Sequence, residues 1–585
     1  MENRAINIIA FLLLSMLFLT AVLSMKDDSL TFDELAHIPA GYSYLTKQDY
    51  RLNPEHPPLV KDIPALPLLF LNLNFPDESP NWLQKDSSPP WWVQFDLGME
   101  FIYGSGNNPR AIIFWPRLAM VVLLVFTGWL LYVWTRKTAN NVVALLALTL
   151  FAFSPTFLAH GHLGNTDLGA AFGALLAAIF WLKFLDKPYW KNVLFAGLAL
   201  GVALLLKFSL ILLIPFFVII TFLYAFLFSV NIWQYIGKAV ASGLIAFILV
   251  IWPVYQFHIW NYPAEQQIRD TIADISGHPV PFARDLTFWM AESDFFRAPA
   301  QYFRGLLMAS QRTAWGNTTY FLGEVSADAR LAYFPLLYLV KETLAFQVLS
   351  LLALCFLALW FWHALRDKEN WLESFKGHFW ILAFLIWILG YWVAALAGNL
   401  NIGIRHLMPA LPFTYILVVF AIWQGIKRFD SLVLRRALAA IAFIMFLWHA
   451  VSSFLAFPHY ISYYNKLGGG ISEGYQIAVD SNYDWGQDFY RLLAFVEEEK
   501  IDKIYVDYFG GESVQYWLGE KYIRLNPREI TEPPKGWLAV STNHLMGGLA
   551  KPVQGFDQET GYYNWLKGYT PVAKAGHSIF IYKID

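Results

Sequence analysis

Two adjacent carboxylates, Asp33 and Glu34, stand eight positions beyond an uncharged apolar run, Ala5–Met25. Such a pair supplies a candidate general base, a group that takes a proton from an attacking hydroxyl. Other ionisable residues mark the edges of later apolar runs. Asp167 opens one, Lys207 closes another, and Arg405 and His406 open a third. A charge near hydrocarbon costs ~2.5–3.5 kcal/mol at a helix centre on insertion scales, so it is kept where something compensates. Lys and Arg at such an edge suit an anionic group carried by a lipid, most simply a phosphate. Stabilising the charge on a departing phosphate is worth several kcal/mol when the donors are preorganised. Base and phosphate clamp together describe group transfer from a lipid phosphate.

The elements that must position these residues are membrane spans, each needing about 20 mostly apolar residues. Nine runs are clear: Ala5–Met25, Leu118–Thr135, Thr138–Thr166, Phe208–Gly237, Ala239–Ala264, Thr343–Leu365, Gly377–Ile404, His406–Ile426 and Ala437–Asn465. Leu168–Leu182 and Asn192–Leu206 are shorter and bring the expected total to about eleven. Every second connection is basic: Arg136 and Lys137; Lys183, Lys187 and Lys191; Lys238; Arg366 and Lys368; then Lys427, Arg428, Arg435 and Arg436. Basic residues concentrate in short cytoplasmic loops, so the amino terminus is expected inside and the carboxyl end outside. The acids and bases named above then share the outer face. The first run reads as an uncleaved anchor, because Leu-Ser-Met-Lys-Asp-Asp is a poor cleavage site.

Composition agrees. Of 585 residues, 57% are hydrophobic and only 15% charged, with 25 Trp, 30 Tyr and 49 Phe. Soluble chains carry roughly 25% charged residues, so a soluble cytosolic enzyme is ruled out. A net charge of −2 without a long basic block removes the footprint of a nucleic-acid binder. One cysteine, Cys355, forbids an intrachain disulfide and is read as packing inside a span.

The expected organisation is a membrane domain over 1–465 and an extracytoplasmic tail over 466–585. A first outer loop covers 26–110 and a second 256–334. Within the first, Ile63–Phe75 is too short to span and suggests a segment lying in the interface. In the tail, Phe489–Glu499 reads as a helix, and Ile504–Phe509, Trp537–Ser541 and Ser578–Tyr582 as strands. The fold class is thus an all-α polytopic membrane protein with a small α/β C-terminal domain.

Thr-Phe-Asp33-Glu34-Leu-Ala-His37-Ile-Pro-Ala-Gly-Tyr, followed by Tyr-Arg-Leu-Asn53-Pro-Glu55-His56-Pro57-Pro58-Leu-Val-Lys61, resembles the first outer loop of the protein O-mannosyltransferase-like family. These are membrane glycosyltransferases of the C superfamily, with the aminoarabinose transferases of lipid A among their relatives. The family pairs Asp-Glu with His-Pro-Pro about 20 residues on, and here Glu34 and His56 are 22 apart. Gly-Asn-Thr-Asp167-Leu resembles its second acid, Leu-Leu-Leu-Lys207-Phe-Ser its lysine-bearing span end, and Gly-Ile-Arg405-His406-Leu-Met-Pro its arginine-bearing span start. Asp480-Ser-Asn-Tyr-Asp484-Trp485-Gly-Gln-Asp488 looks like the tail of bacterial members, although these acids also suit loops and caps. Before Asp167, where the family often has Arg or Gln, this chain has His160 and His162.

The resemblance implies inverting transfer of one sugar from a polyprenyl-phosphate-linked donor to an acceptor hydroxyl at the outer face of a plasma (inner) membrane. The acceptor would be protein Ser/Thr, lipid A or a cell-wall glycan. Asp33, aided by Glu34, takes the base role. Asp167 has a catalytic or substrate-contacting role, and Lys207 and Arg405 hold the phosphate. His37, His56, Lys61 and His406 line the substrate site. No cofactor is expected. Glu34 and His37 do have the i, i+3 spacing of metal ligands, with Asp33 and His56 as further donors, and relatives in the superfamily use a divalent metal. The second Glu-x-x-His of di-metal bundles is missing. The readings from other classes are a transporter or flippase of lipid-linked sugar, which should show polar groups at midplane and on both faces, and a non-catalytic scaffold.

Overall fold

The computed structural model describes residues 3–84, 91–366, 376–530 and 532–585. Seven helices in it are long and apolar enough to cross a membrane: α1 (Asn3–Met25), α4 (Pro109–Thr138), α6 (Asp167–Asp186), α8 (Phe208–Phe228), α9 (Ile232–His258), α15 (Phe379–Ala397) and α17 (Leu432–Ala456). An eighth span forms if α13 (Tyr333–Lys341) and α14 (Leu344–Arg366), bent by 112° at their junction, count as one. Three further apolar helices are shorter: α5 (Asn141–Ala152), α7 (Trp190–Leu204) and α16 (Leu411–Lys427). The chain is a multi-pass membrane protein. Each of the eleven apolar runs overlaps one of these helices, but among the described residues only seven or eight helices reach spanning length.

The departures from the expected boundaries have local causes. The run Phe208–Gly237 breaks early: Ser229 adopts a left-handed conformation (φ 54°), and the Asn231 side chain caps α9 by accepting from Trp233 and Gln234. Both turn residues are uncharged, so a search for charge-free runs passes over them, and Lys238 falls inside α9. The run Thr138–Thr166 yields only α5, because Ser154 and Pro155 start a separate short helix, Pro155–His160. Cys355 is exposed on α14, alongside exposed Leu351 and Leu354, rather than packed. That helix turns an apolar face outward, and a small apolar side chain is as well placed there as inside. Lys368, counted above among the basic connections, lies outside the described residues.

In the segment expected as the first outer loop, α2 (Glu34–Lys47) and α3 (Leu59–Ala65) meet closely. A Cβ at Gly41 would lie 2.2 Å from the Lys61 carbonyl oxygen, so only glycine allows the approach. The following turn, Leu66–Phe70, buries Leu68 and exposes Leu66, Leu69 and Phe70, the last by 90%. The segment expected as the second outer loop folds as α10 (Ala264–Ile275), α11 (Pro281–Ala291), α12 (Arg297–Trp315) and a hairpin of β1 (Thr319–Phe321) and β2 (Glu324–Ser326).

The tail contains α18 (Phe489–Glu498) and a five-stranded sheet. The expected strands form its centre as β3 (Ile504–Asp507), β5 (Gly536–Ser541) and β8 (Ile579–Ile584), with β4 (Tyr522–Arg524) and β7 (Ala573–Ala575) as edges. The order is β4-β3-β5-β8-β7, with β3 parallel to both β4 and β5. A helix, α19 (Thr542–Leu549), follows β5 directly. The tail is stitched to both outer loops. Its β6 (Lys551–Pro552) joins the hairpin as a third strand beside β2. Residues 29–32 pair with it through Ser29 N to Gln487 O (2.9 Å) and Phe32 N to Trp485 O (3.1 Å).

Candidate active site

Asp33 and Glu34 sit at the start of α2 and turn opposite ways. Asp33 is the N-cap of α2, yet its side chain makes no capping bond, which leaves the carboxylate free to face outward from the turn. It lines a cavity of about 430 Å³ and is 25% exposed. Glu34 is fully buried and accepts from Thr31 N and Oγ1, from Gly164 N and from Arg117 Nε and Nη2. Burial would raise its pKa, but Arg117 outweighs this and holds the carboxyl at about 2. The expectation that Glu34 assists as a base is therefore corrected. All its proton-accepting capacity is spent on the guanidinium and backbone that fix the turn.

The basic residues do converge. Lys207, in the extended link between α7 and α8, donates to Asp167 Oδ1 at 2.5 Å. Arg405, in a tight turn before α16, reaches Asp167 Oδ2 at 3.1 Å and Asp33 Oδ2 at 3.2 Å through one nitrogen. Asp167, at the positive N-terminal end of α6, is fully buried behind both cations and does not line the cavity. Its geometry suits holding Lys207 and Arg405 in place, which corrects the expectation of direct substrate contact.

His37, His56 and His406 line the same cavity, the first two with rings 5.3 Å apart and edge to face. Burial lowers the pKa of both His37 and His56, so they are neutral hydrogen-bonding groups at pH 7. Lys61 is not in the cavity. It is fully buried and donates to Tyr44 Oη (2.8 Å), Asn53 O (2.6 Å), Asn53 Oδ1 (3.0 Å) and His56 O (3.0 Å). Its placement beside those carbonyls follows from the close α2–α3 contact, and it shapes the 53–56 loop that carries His56. We expect Lys61→Met to lower the thermal midpoint in detergent, since it strands a buried cluster of acceptors at ~1–3 kcal/mol each. An unchanged midpoint would show that the loop holds without it.

Several residues of the site have no role assigned from the sequence, although Ser481 and Trp485 lie within the Asp480–Asp488 motif. Arg312 of α12 lines the cavity and pairs with Glu55 at 2.9 and 3.0 Å. No spacing distinguishes it within a loop of mixed charge. Arg117 opens its apolar run as Arg405 does, so the same edge-charge test applied there finds it. The tail contributes Ser481, whose Oγ accepts from Arg405 Nε (3.1 Å), and Trp485, whose ring lies 4.3 Å from the Arg405 guanidinium. Gly403 permits that contact: a Cβ there would lie 2.3 Å from Ser481 Oγ. His160 and His162 are buried and line neither this cavity nor the one described next. Among the described residues, no three His, Cys, Asp or Glu side chains gather as metal ligands would.

A second cavity, of about 360 Å³, lies beneath the C-terminal domain. It shares Phe32, Asp33, Trp91, Arg312, Ile402 and Arg405 with the first. The two differ in character. The first continues between apolar walls such as Phe208, Leu212 and Leu306, while the second is walled by Asn317, Thr318, Asp480, Asn543 and His544 among others. Asp33 is thus open to both. Three cations, Lys207, Arg312 and Arg405, face two carboxylates, Asp33 and Glu55, around the apolar cavity.

Residues 100–255 match the family model described as dolichyl-phosphate-mannose-protein mannosyltransferase. That stretch includes Asp167 and Lys207 but none of the first-loop motifs, so the resemblance drawn from those motifs is borne out by a separate part of the chain. No curated protein matches the chain in sequence. Among solved structures, ArnT from Cupriavidus metallidurans bound to undecaprenyl phosphate is similar at 11% identity, over 98% of this chain and 97% of that one, with a TM-score of 0.48. The archaeal oligosaccharyltransferase AglB from Archaeoglobus fulgidus, in complex with an inhibitory peptide and a dolichol-phosphate, is similar at 13% identity over 91% and 69%, with a TM-score of 0.43. The S. cerevisiae protein O-mannosyltransferase Pmt1-Pmt2 complex is similar at 18% identity over 44% and 34%, with a TM-score of 0.30.

Proposed function

We propose that the protein is a membrane glycosyltransferase that moves a single sugar, with inversion, from a polyprenyl-phosphate-linked donor to an acceptor hydroxyl at the outer face of the membrane. The observation that carries this reading is the position of Asp33. It is an open carboxylate where an apolar, cation-lined cavity meets a polar one. The donor's phosphate lies in the first, against Lys207, Arg312 and Arg405, and the acceptor enters the second. The acceptor oxygen bonds to the anomeric carbon on the face opposite the phosphate. The carbon–oxygen bond to phosphate breaks, its electron pair leaves with the polyprenyl phosphate, and the hydroxyl proton passes to Asp33. One base and no covalent intermediate suffice, as in inverting glycoside hydrolysis.

The lipid has room to continue. A third, mostly apolar cavity of about 500 Å³ between α6, α7, α8, α9 and α12 shares Ile211 and Leu306 with the donor cavity. The clamp also has an electrostatic reason to yield to phosphate. The bonds from Arg405 to Asp33 and Asp167, at 3.2 and 3.1 Å, exceed the ~2.7–2.9 Å of a tight charged pair. A phosphate oxygen that takes over Arg405 releases Asp33 as a base only when donor is bound.

The test is a donor screen. Protein in nanodiscs is mixed with a set of polyprenyl-phosphate sugars and a membrane extract as acceptor, and free polyprenyl phosphate is followed by mass spectrometry. Release from one sugar class supports the reading. No release from any donor that binds would move the protein to lipid transport or a scaffold role. Within the same assay, Arg405→Ala is expected to weaken donor affinity by ~1.5–3 kcal/mol, the range for a lost charged hydrogen bond. Unchanged donor affinity would remove Arg405 from the clamp.

A further inference from the structure

The polar cavity is walled on one side by the C-terminal domain, at a definite place in that domain's sheet. Strands β3 and β5 lie side by side and parallel, but their connections diverge, β3 leading to β4 on one flank and β5 leading by way of α19 and β6 toward β8 on the other. A crevice outside the carboxyl ends of parallel strands at such a switch point is where open α/β sheets bind ligands. Phe509 follows β3, and Asn543 and His544 open α19 after β5; all three line the cavity. The crevice therefore faces Asp33 across it.

We infer that this cavity is a saccharide site, so that the hydroxyl presented to Asp33 belongs to a sugar ring; the inference rests on the transferase reading above. Three observations support it. First, no spare cation is present for a phosphorylated headgroup. Arg312 and Arg405 are the two arginines that line it, and both are shared with the donor cavity, where the donor's phosphate takes them; Lys207 lines only that cavity, and Asp480 adds a carboxylate here.

Second, flat aromatic surface stands beside uncommitted polar groups. Trp91 is 46% exposed, and Tyr562 is backed on one face by Arg528, at 4.7 Å from the ring. A sugar presents a ring of C–H groups to such a face and hydroxyls to its rim, which is the amphipathic match aromatic side chains offer. The hydroxyls find His544, Asn543 and Asp480. The imidazole is held by Asp507 Oδ1 at 2.8 Å from Nδ1, and Asp507 in turn accepts from Tyr563 Oη at 2.5 Å, so Nε2 is the atom left for a ligand. Burial would lower the His544 pKa, but Asp507 outweighs it and raises the group, favouring a ring that donates.

Third, the wall does not suit an extended peptide. Peptides add to an open strand edge, and here β2 is paired on both sides, by β1 and β6. The outer side of the hairpin is bridged from Phe321 to Ala478, with Leu322 N donating to Ile477 O at 2.9 Å.

The experiment uses the full chain in nanodiscs without donor. Saturation-transfer NMR is recorded against methyl hexosides, maltose, cellobiose and chitobiose, with a Ser/Thr-rich peptide and lipid A as the other arms. At least one saccharide is expected to bind, and His544→Gln and Tyr562→Ala should each weaken it at least tenfold. Tyr562 is only half-buried, at the edge of the domain's core and on a different segment from His544, so its variant stays informative if the change at His544 disturbs folding. With donor present, the bound saccharide should gain a sugar, and the loss in His544→Gln should fall on acceptor KM more than on kcat. Binding of none of the saccharides overturns the inference. So does peptide or lipid A binding in their place, or saccharide affinity unmoved in both variants. Saccharide binding without release from any donor would instead refute the transferase reading and leave the sugar site standing.

Discussion

Asp33→Asn is expected to slow sugar transfer by about 10²- to 10⁴-fold, the usual contribution of a positioned general base, while donor binding and folding survive. The substitution keeps shape and keeps an oxygen that accepts from Arg405, whose bond to Asp33 Oδ2 is 3.2 Å. What it removes is the ability to take a proton. Because Asp33 is 25% exposed and makes no capping bond to α2, little of the fold depends on its charge. The measurement is a single-turnover rate of polyprenyl phosphate release with donor saturating, beside donor affinity on the same sample. A variant that turns over at near-normal rate would take the base role away from Asp33. Loss of donor binding together with rate would instead make Asp33 a structural partner of Arg405.

The second large effect falls on stability and separates the two neighbouring carboxylates. Arg117→Met leaves Glu34 buried without its cation, and breaking a buried pair from one side costs about 3–5 kcal/mol. The pair here is enclosed: both side chains are within 1% of full burial and the closest approach is 2.6 Å. Glu34→Gln should be destabilising too, and the double substitution should cost less than the sum of the single ones, since these residues share one network. There is a pH signature. The folded carboxyl sits at about 2 against an ordinary 4.5. A depressed carboxyl stabilises the fold above its unfolded pKa, so roughly 3 kcal/mol is in place above pH 4.5 and is lost as pH falls toward 2. Thermal melts of the wild type and Glu34→Gln between pH 3 and 7 would show converging midpoints at the acid end. Equal midpoints throughout, with transfer abolished in Glu34→Gln, would return Glu34 to the chemistry.

The tail bears on both results. Residues 29–32 are held by backbone bonds to Gln487, Trp485 and Gly511, with Leu30 N also donating to Glu512 at 2.7 Å. Phe32 stacks on Phe509 with ring centroids 5.2 Å apart. Asp33 begins where that pairing ends. Arg405 is held from the same direction by Ser481 and Trp485. The proposed base and clamp thus depend on the tail as well as on the helical bundle.

From the chain alone, the membrane class, the apolar runs and the gathering of Asp33, Lys207 and Arg405 were determined. Hydrophobic runs are local, and the alternation of basic connections predicts that the charges at the opposite ends of the runs share one face. The strands at the centre of the tail sheet were legible for the same reason, as short apolar runs, alternating in burial along β3 and buried almost throughout in β5 and β8. Only the tertiary structure decided which of two adjacent acids opens to the cavity. Arg117 and Gly164, 83 and 130 positions from Glu34, claim it, while Asp33 faces the cavity beside Arg405. It likewise put Asp167 behind the cations, moved Lys61 under the His56 loop, and brought Arg312, Ser481 and Trp485 to the site. Hydropathy records what each segment prefers as solvent; the partner of a charged side chain depends on which distant segments meet, and that is set by packing.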